Sequence, residues 1–519
     1  MPRFFLTTAI DYANGEPHLG HALEKIGADT IARFHRQLGY DVHLLIGMDE
    51  HGQKVAQTAE KEGVPPQQFV DGIADLFQAM WARLGVAYDQ FIRTTSPEHK
   101  AAVARLIEQI FAADVSLPEP QRNFYERSYT GMYCVGCESF KQPADIVEGK
   151  CAVHPTRTLE EVTEHNWFFR LSAYTGRLKQ LFADHPRFLE PESRRNEILQ
   201  LLEQGLDDIS ASRSRFDWGV PFPRPLSNGD TQTMYVWFDA LPNYWTACFF
   251  PGYADKAAWP ANLHVIGKDI TRFHAVIWPA MLMAAGEPLP AQVWAHGFIS
   301  LGGERFSKSA GVKLQLAEAV DRYGVDAFRY YLLRDVPFDG DGNFSWERFE
   351  EVYNSDLANT LGNLGSRSIA MIEKYRAGVV PAAAPDAELF AAHDASLVQA
   401  RAAVDGDRRY RPHEVIGALM DVARRTNEYI QRTQPWVLAK DPAHAAQLDT
   451  VLVTLEASLA TCAAWLAPVM PEKMQALWAQ LGGAGDVARA RLDQRIDVAG
   501  WTVTKGAPLF PKPDAPPGA

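Results

Sequence analysis

Three short strings in this chain carry residue types that can do chemistry. The first, His18-Leu19-Gly20-His21, sets two histidines three residues apart at the start of a helix-like run. At that spacing they share a helix face. A helix N-terminus also offers unpaired N–H groups and the positive end of the backbone dipole to anions. Gly20 removes a side chain where a flat base can lie against backbone. The second string, Arg305-Phe306-Ser307-Lys308-Ser309, is flanked by Gly302, Gly303 and Gly311. A lysine on such a turn suits a loop that closes on phosphates, where it acts as a point charge. The third, Cys134-x2-Cys137-x13-Cys151-x2-His154, has the donors and spacing of a tetrahedral zinc site. Four protein ligands leave no position for water, which favours a structural metal over a catalytic one. The plain alternatives are a helix cap with two solvated histidines, an ordinary surface loop, and unliganded thiols. No GxxxxGK[ST] string occurs, so phosphates are not held by a P-loop. Gly483-Ala484-Gly485 follows a helical run and reads as a cap loop rather than a dinucleotide fingerprint.

The elements that must position these residues are legible around them. Phe4 to Ala9, apolar and Thr-rich, predicts a buried strand, and the polar turn Asn14-Gly15-Glu16-Pro17 follows it. Leu19, Leu23, Ile26, Phe34 and Leu38 then recur at helical spacing, Gly39 ends the run, and Val42 to Ile46 predicts a second strand. Residues 1–113 read as α/β, with further helices near 66–84 and 97–112. From 114 to about 226 the texture changes to short strands, turns and the cysteine cluster. Alternation returns over 227–298: Met234 to Phe238, Leu263 to Ile266 and Val293 to Phe298 predict strands, and Arg272 to Ala285 a helix. Two α/β segments around a differently textured insert imply one sheet domain interrupted by a module. Beyond about 345 strand signals nearly vanish. Amphipathic stretches at 353–376, 386–405, 412–432, 443–467 and 471–481, broken at prolines, predict an α-helical bundle that fills 353–519.

At 519 residues the chain is too long for one domain, and 47% apolar residues suffice for large cores. No run of about 18 apolar residues occurs, which argues against a membrane span. The N-terminus carries no signal-peptide pattern, so a cytoplasmic protein is expected. A net charge of −13 argues against nonspecific coating of nucleic acid but leaves room for a folded RNA on local basic patches. Five cysteines in so long a chain make no disulfide framework, and Cys248 and Cys462 read as core residues.

With HLGH near the N-terminus and FSKS about 290 residues later, the chain resembles class I aminoacyl-tRNA synthetases, whose HIGH and KMSKS signatures occupy these places. The stretches TTAIDYANGEPHLGH, GMDEHGQK, YCVGCESF, YVWFDALPNYW, HVIGKDITRFHAVIWPAML and DLANTLGNLGSR narrow the resemblance to the methionyl-tRNA synthetase family, over residues 4 to about 510. The resemblance implies a Rossmann-type catalytic domain split by a zinc-binding insert, a stem-contact region over 299–352, and an anticodon-binding bundle. By the same resemblance His18 and His21 contact ATP phosphates, Gly20 and Asn14 adjoin the nucleotide, and Lys308 neutralises departing pyrophosphate. Asp49 pairs with the methionine ammonium, and Ile10, Tyr12, Trp237, Ala240, Tyr244, His274 and Trp278 line the methionine pocket. That set suits a thioether, which is apolar, polarisable and a weak acceptor; Tyr12 and His274 are the groups that address the sulfur. Without the resemblance, Trp237 and Trp278 read as core. Asn363, Arg367 and Trp436 match anticodon contacts, with Arg424, Arg425 and Arg432 nearby in sequence as a basic patch.

The implied cofactors are one structural Zn2+ on Cys134, Cys137, Cys151 and His154, and Mg2+ with ATP. The implied partners are methionine, ATP and tRNA(Met), initiator tRNA included. Nothing after residue 510 resembles an appended dimerisation domain, so a monomer is expected. The competing readings are a related synthetase for Leu, Ile or Val, which usually carries a much longer insert, a small HxGH nucleotidyltransferase, and a non-enzymatic tRNA-binding paralogue. Three positions depart from the family pattern: Arg305-Phe306 for Lys-Met, Leu241 for a proline found in some members, and Asp11 where a neutral residue is usual.

Overall fold

The computed structural model describes residues 1–134, 139–141, 145–152, 158–214, 217–253, 259–301, 304–305 and 316–511. Cys137, His154 and Lys308 lie outside the described residues. Seven strands form the main sheet: β1 (Arg3–Thr8), β2 (Asp11–Tyr12), β3 (Asp41–Asp49), β4 (Gln90–Arg93), β5 (Leu189–Glu190), β6 (Leu263–Gly267) and β7 (Val293–His296). All pairs are parallel, in the order β5-β7-β6-β1-β3, with β4 beyond β3. Strand β2 resumes the line of β1, pairing with Met48 and Asp49 after β1 has ended opposite Leu45. Parallel strands buried on both faces read as continuous apolar runs, as β1 and β3 do. Leu6 and Leu44 belong to the core on one face and Phe5 and Leu45 to the core on the other.

The helix that carries the histidines, α1 (Leu19–Gln37), packs Leu23, Ile26 and Phe34 onto the first of these cores. It stops at Gly39, whose φ of +87° admits glycine readily. That core continues without a break into the helices Asn363–Arg376, Ala387–Asp405, Pro412–Thr433, Ala445–Leu466 and Pro471–Leu481. One helical stretch there, Pro442–Leu466, is long and apolar enough to cross a bilayer by length and composition, although it holds no unbroken run of 18 apolar residues. Its apolar window is 83% buried within the molecule, as befits the core helix of a bundle. Within the insert, the strands Phe124–Cys134 and Glu160–Phe169 form a long antiparallel pair flanked by Ser139–Lys141 and Ile209–Ser210.

Three local expectations need correction. Met234 to Phe238 is not a strand: a two-residue strand, Thr233–Met234, gives way to the helix Val236–Ala240. A short apolar run has the same look in either state, and here a buried contact of Asp239, described below, accompanies the helical turn. The helix expected from Arg272 opens with a wide π-turn, Phe273–Ile277, before Trp278–Ala285. Finally, β5 comes from the middle of the insert yet pairs with β7 on the main sheet, too short to signal itself in sequence.

Candidate functional site

Strand β1 has β3 on one side and β6 on the other. Strand order reverses there, and open α/β sheets bind ligands in the crevice beyond the carboxyl ends at such a point. The HLGH string lies just past it. His18 caps α1 with extended backbone, its Nδ1 accepting from the N–H of Gly20 (3.2 Å) and of His21 (3.5 Å). His21 Nδ1 accepts in return from the His18 N–H at 3.3 Å, and the two rings stack with centroids 3.6 Å apart. Two imidazoles thus make the reciprocal cap that Ser/Thr and Glu usually make. The cap reading and the chemical reading are therefore compatible. A neutral ring that accepts at Nδ1 carries its proton on Nε2, so each histidine holds an N–H donor at Nε2. Gly20 lies under His18: a Cβ there would sit 3.1 Å from His18 Cε1.

The aromatic residues gather behind this turn. Trp237 stacks on Phe273 at 3.7 Å with His274 edge-on at 6.4 Å. Tyr244 lies 6.4 Å from Trp278, and its hydroxyl is 2.7 Å from His274 Nε2. His274 Nδ1 is 3.0 Å from the Ile270 carbonyl, so it donates there and Nε2 accepts from the Tyr244 hydroxyl. Burial pushes His274 down to about 4 and Tyr244 well up, so both are neutral at pH 7. Both His274 nitrogens are committed, so this ring orients Tyr244. The π-turn is what brings Phe273 and His274, adjacent in sequence, both against Trp237. Ile10 is half-buried against the same core as Trp237, Tyr244 and Trp278, and Ala240 is buried at the end of its short helix. Asp49 closes β3, 8% exposed, and its carbonyl accepts from Ala13 N–H at 2.8 Å. Tyr12 pairs with it across β2–β3, with the Lys54 ammonium 5.9 Å from its ring centre. Asn14 sits half-buried in the same turn, donating its N–H to the Tyr12 carbonyl at 2.8 Å.

Asp11 faces α1. It is buried, and its carboxylate accepts from Lys25 of α1 at 2.9 Å. A second buried cluster also escaped the sequence reading. Asp239 bridges His51 Nδ1 at 2.6 Å and His99 Nε2 at 2.9 Å, and His99 Nδ1 meets Thr246 Oγ1 at 2.8 Å. Burial alone would raise the Asp239 carboxyl, but His51 and His99 beside it bring it down to about 2. The signal was present in the strings GMDEHGQK and YVWFDALPNYW, which this cluster joins.

Elsewhere, Cys134 and Cys151 are both buried and share one small cluster with Leu159, Met132 and Ile146. Each stands at the end of a strand, Phe124–Cys134 and Lys150–Cys151. Two thiols gathered at strand ends fit the described half of the expected zinc set. In the bundle, Asn363 is exposed and Arg367 half-buried, four residues apart on one helix, and Trp436 is 39% exposed. Arg424 and Arg425 both lie within 4 Å of Asp421, which offsets part of the expected basic patch.

This fold, with its histidine-capped helix at the strand-order reversal, is that of a class I tRNA synthetase, and residues 4–369 match the family model for tRNA synthetases class I (M). The methionine–tRNA ligase of Caldanaerobacter subterraneus is 42% identical over 98% of this chain and 79% of its own length. That of Streptomyces coelicolor is 40% identical over 99% and 98%. A solved structure of Mycobacterium tuberculosis methionyl-tRNA synthetase in complex with methionyl-adenylate matches with a TM-score of 0.90 and 39% identity, over 98% of this chain and all of that one. The chain belongs to the methionyl-tRNA synthetase family.

Proposed function

We propose that this chain activates methionine with ATP and transfers it to the 3′-terminal adenosine of tRNA(Met), in the cytoplasm. The observation that carries the reading is a shared turn. Residues 10–14 connect Ile10, packed against the core of the aromatic residues, to the turn that leads into the His18–His21 cap, so one short segment can hold both substrates of adenylation against each other. Methionine enters with its ammonium at Asp49 and its side chain among Ile10, Tyr12, Trp237, Ala240, Tyr244 and Trp278. Its carboxylate is already a nucleophile, so no general base is needed. Catalysis then consists of positioning and of stabilising charge as the α-phosphate is attacked and pyrophosphate leaves. His18 and His21 donate to the phosphates, Gly20 leaves room for the base beside Asn14, and Lys308 neutralises the leaving group. Mg2+ bound with ATP would add further charge neutralisation. Zn2+ on Cys134, Cys137, Cys151 and His154 would tie the tip of the 114–226 insert. The region 299–352 would meet the acceptor stem, while Asn363, Arg367 and Trp436 read unstacked anticodon bases by donors and stacking.

ATP–pyrophosphate exchange across a panel of amino acids tests this. Methionine alone should support exchange. Exchange with leucine, isoleucine or valine would favour the related synthetases, and no exchange with any amino acid would leave a tRNA-binding paralogue.

A further inference from the structure

Lys25 has no part in the chemistry above, yet it is wholly buried in α1. Its ammonium donates to three oxygens: the Ala9 carbonyl at 2.8 Å, Asp11 Oδ1 at 2.9 Å and Glu24 Oε1 at 2.7 Å. The other oxygen of Asp11 is buried and accepts no hydrogen bond among the described residues. The other oxygen of Glu24 is 3.2 Å from His296 Nε2 at the end of β7, and His296 Nδ1 is 2.8 Å from the Gly297 carbonyl. Four side chains thus run as a buried file from the turn after β1, through α1, to the end of β7. Burial pushes the Asp11 carboxyl up to about 7, against the pull of Lys25. Burial also works against the Glu24 carboxylate, but Lys25 and His296 bring it down. Buried ion sets of this kind seldom stabilise more than apolar residues of the same shape would. Geometry is the better account of this one.

Ala9 N–H donates to the Val265 carbonyl at 2.9 Å and Ala13 N–H to the Asp49 carbonyl at 2.8 Å. Between those anchors the main sheet supplies only the two-residue ladder of β2. Lys25 grips both the Ala9 carbonyl and the Asp11 side chain from the α1 side. Asp11 stands between Ile10, which packs against the core that holds Tyr244 and Trp278, and Tyr12, which packs against the core of α1. The geometry points to Lys25, with Asp11 as its counter-charge, as the positioning pair that sets Ile10 and Tyr12 at the methionine pocket. This rests on the methionine reading of that pocket. Removing the ammonium alone leaves the buried Asp11 and Glu24 carboxyl groups without their shared donor, and leaves the Ala9 carbonyl with Thr8 Oγ1 alone at 2.9 Å. Removing Asp11 as well takes away one of the two stranded carboxyl groups.

The test is the substrate dependence of ATP–pyrophosphate exchange in Lys25→Met, Asp11→Ala and the double variant, with a thermal melt on each. Lys25→Met should raise the KM for methionine by about 10- to 100-fold, as a displacement of about 1 Å does, while the KM for ATP stays within about twofold. The double variant should recover at least about fivefold of that loss, because removing both partners of a buried pair costs less than removing one. Should Lys25→Met show no cooperative melt, Asp11→Ala carries the test, with methionine KM up about tenfold and ATP KM unchanged. Parallel changes in both KM values, an unchanged methionine KM in folded variants, or a double variant no better than Lys25→Met would overturn the proposal. A wild-type chain inactive with methionine would instead refute the functional reading itself.

Discussion

At the scale of single residues, the site depends on which proton each histidine holds. The cap fixes His18 and His21 with Nδ1 as acceptor, and Gly20 sets the space under the His18 ring. Gly20→Ala therefore pits two effects against each other. Alanine favours a helix by about 1 kcal/mol over glycine, but its Cβ would press on the His18 ring at 3.1 Å. The melting temperature should hold or rise while exchange activity falls by about tenfold or more, in the range of losing an oriented donor. A parallel loss of stability and activity would contradict this account. Asp239 gives a second case. Its folded pKa of about 2 is below the ordinary value of 3.8, so its carboxylate adds stability above about pH 4 and loses it as pH falls towards 2. The stability gap between wild type and Asp239→Asn, read from urea unfolding, should be roughly 2–3 kcal/mol near pH 5 and close as pH falls from about 4 towards 2. A gap that widens in acid would be the wrong sign. The two kinds of residue differ in legibility. HLGH is contiguous and shows in sequence, whereas His51, His99 and Asp239 are scattered and become one cluster only through the fold.

At the scale of elements, what sequence conveyed well was periodicity over long spans. Helix α1 and the bundle helices announce themselves because each repeats its apolar face several times. The helix Val236–Ala240, the π-turn Phe273–Ile277 and the strand β5 do not, because two to five residues contain no period to read. These short pieces build the pocket wall and the sheet edge, so the aromatic pocket was reachable only through resemblance. Helix α1 itself carries a constraint that periodicity also hides. Gly27 sits in its middle, where a Cβ would lie 2.3 Å from Phe338 Cε2, and Phe338 in turn stacks on His296 at 5.7 Å. Propensity alone predicts that Gly27→Ala stabilises the helix. Overpacking predicts the opposite, a loss of about 1–3 kcal/mol, and the close contact decides for overpacking. Equilibrium denaturation measures the sign directly, and a gain in stability would show that the Phe338 ring yields freely.

At the scale of the whole molecule, the segments read from sequence as separate modules share one core and one buried clamp. Arg329 is wholly buried. It donates to Asp29 of α1 at 2.6 Å, to the carbonyls of Val469 and Pro468 at 2.9 and 3.0 Å, and to that of Leu84 at 3.2 Å. Gln37, at the far end of α1, donates to the Ala464 carbonyl at 3.0 Å. The helix whose first turn would meet ATP is thereby bolted along its length to the bundle that would read the anticodon. On the proposed function, adenylation would draw on the catalytic half, whereas tRNA charging would also need the bundle held at a fixed orientation to it. Arg329→Leu leaves Asp29 and two bundle carbonyls without this donor, and breaking a buried pair costs about 3–5 kcal/mol. Calorimetry should show a lower, broadened or split transition. Methionine-dependent exchange should fall by no more than about threefold while tRNA charging falls by about tenfold, since misplacement of about 1 Å is expensive for a positioned reaction. Arg329→Lys keeps the charge but loses the fork that spans several acceptors, so it should lie between. Equal losses in the two activities would mean that the clamp serves stability alone, and unchanged charging would mean that the tRNA orients itself without it.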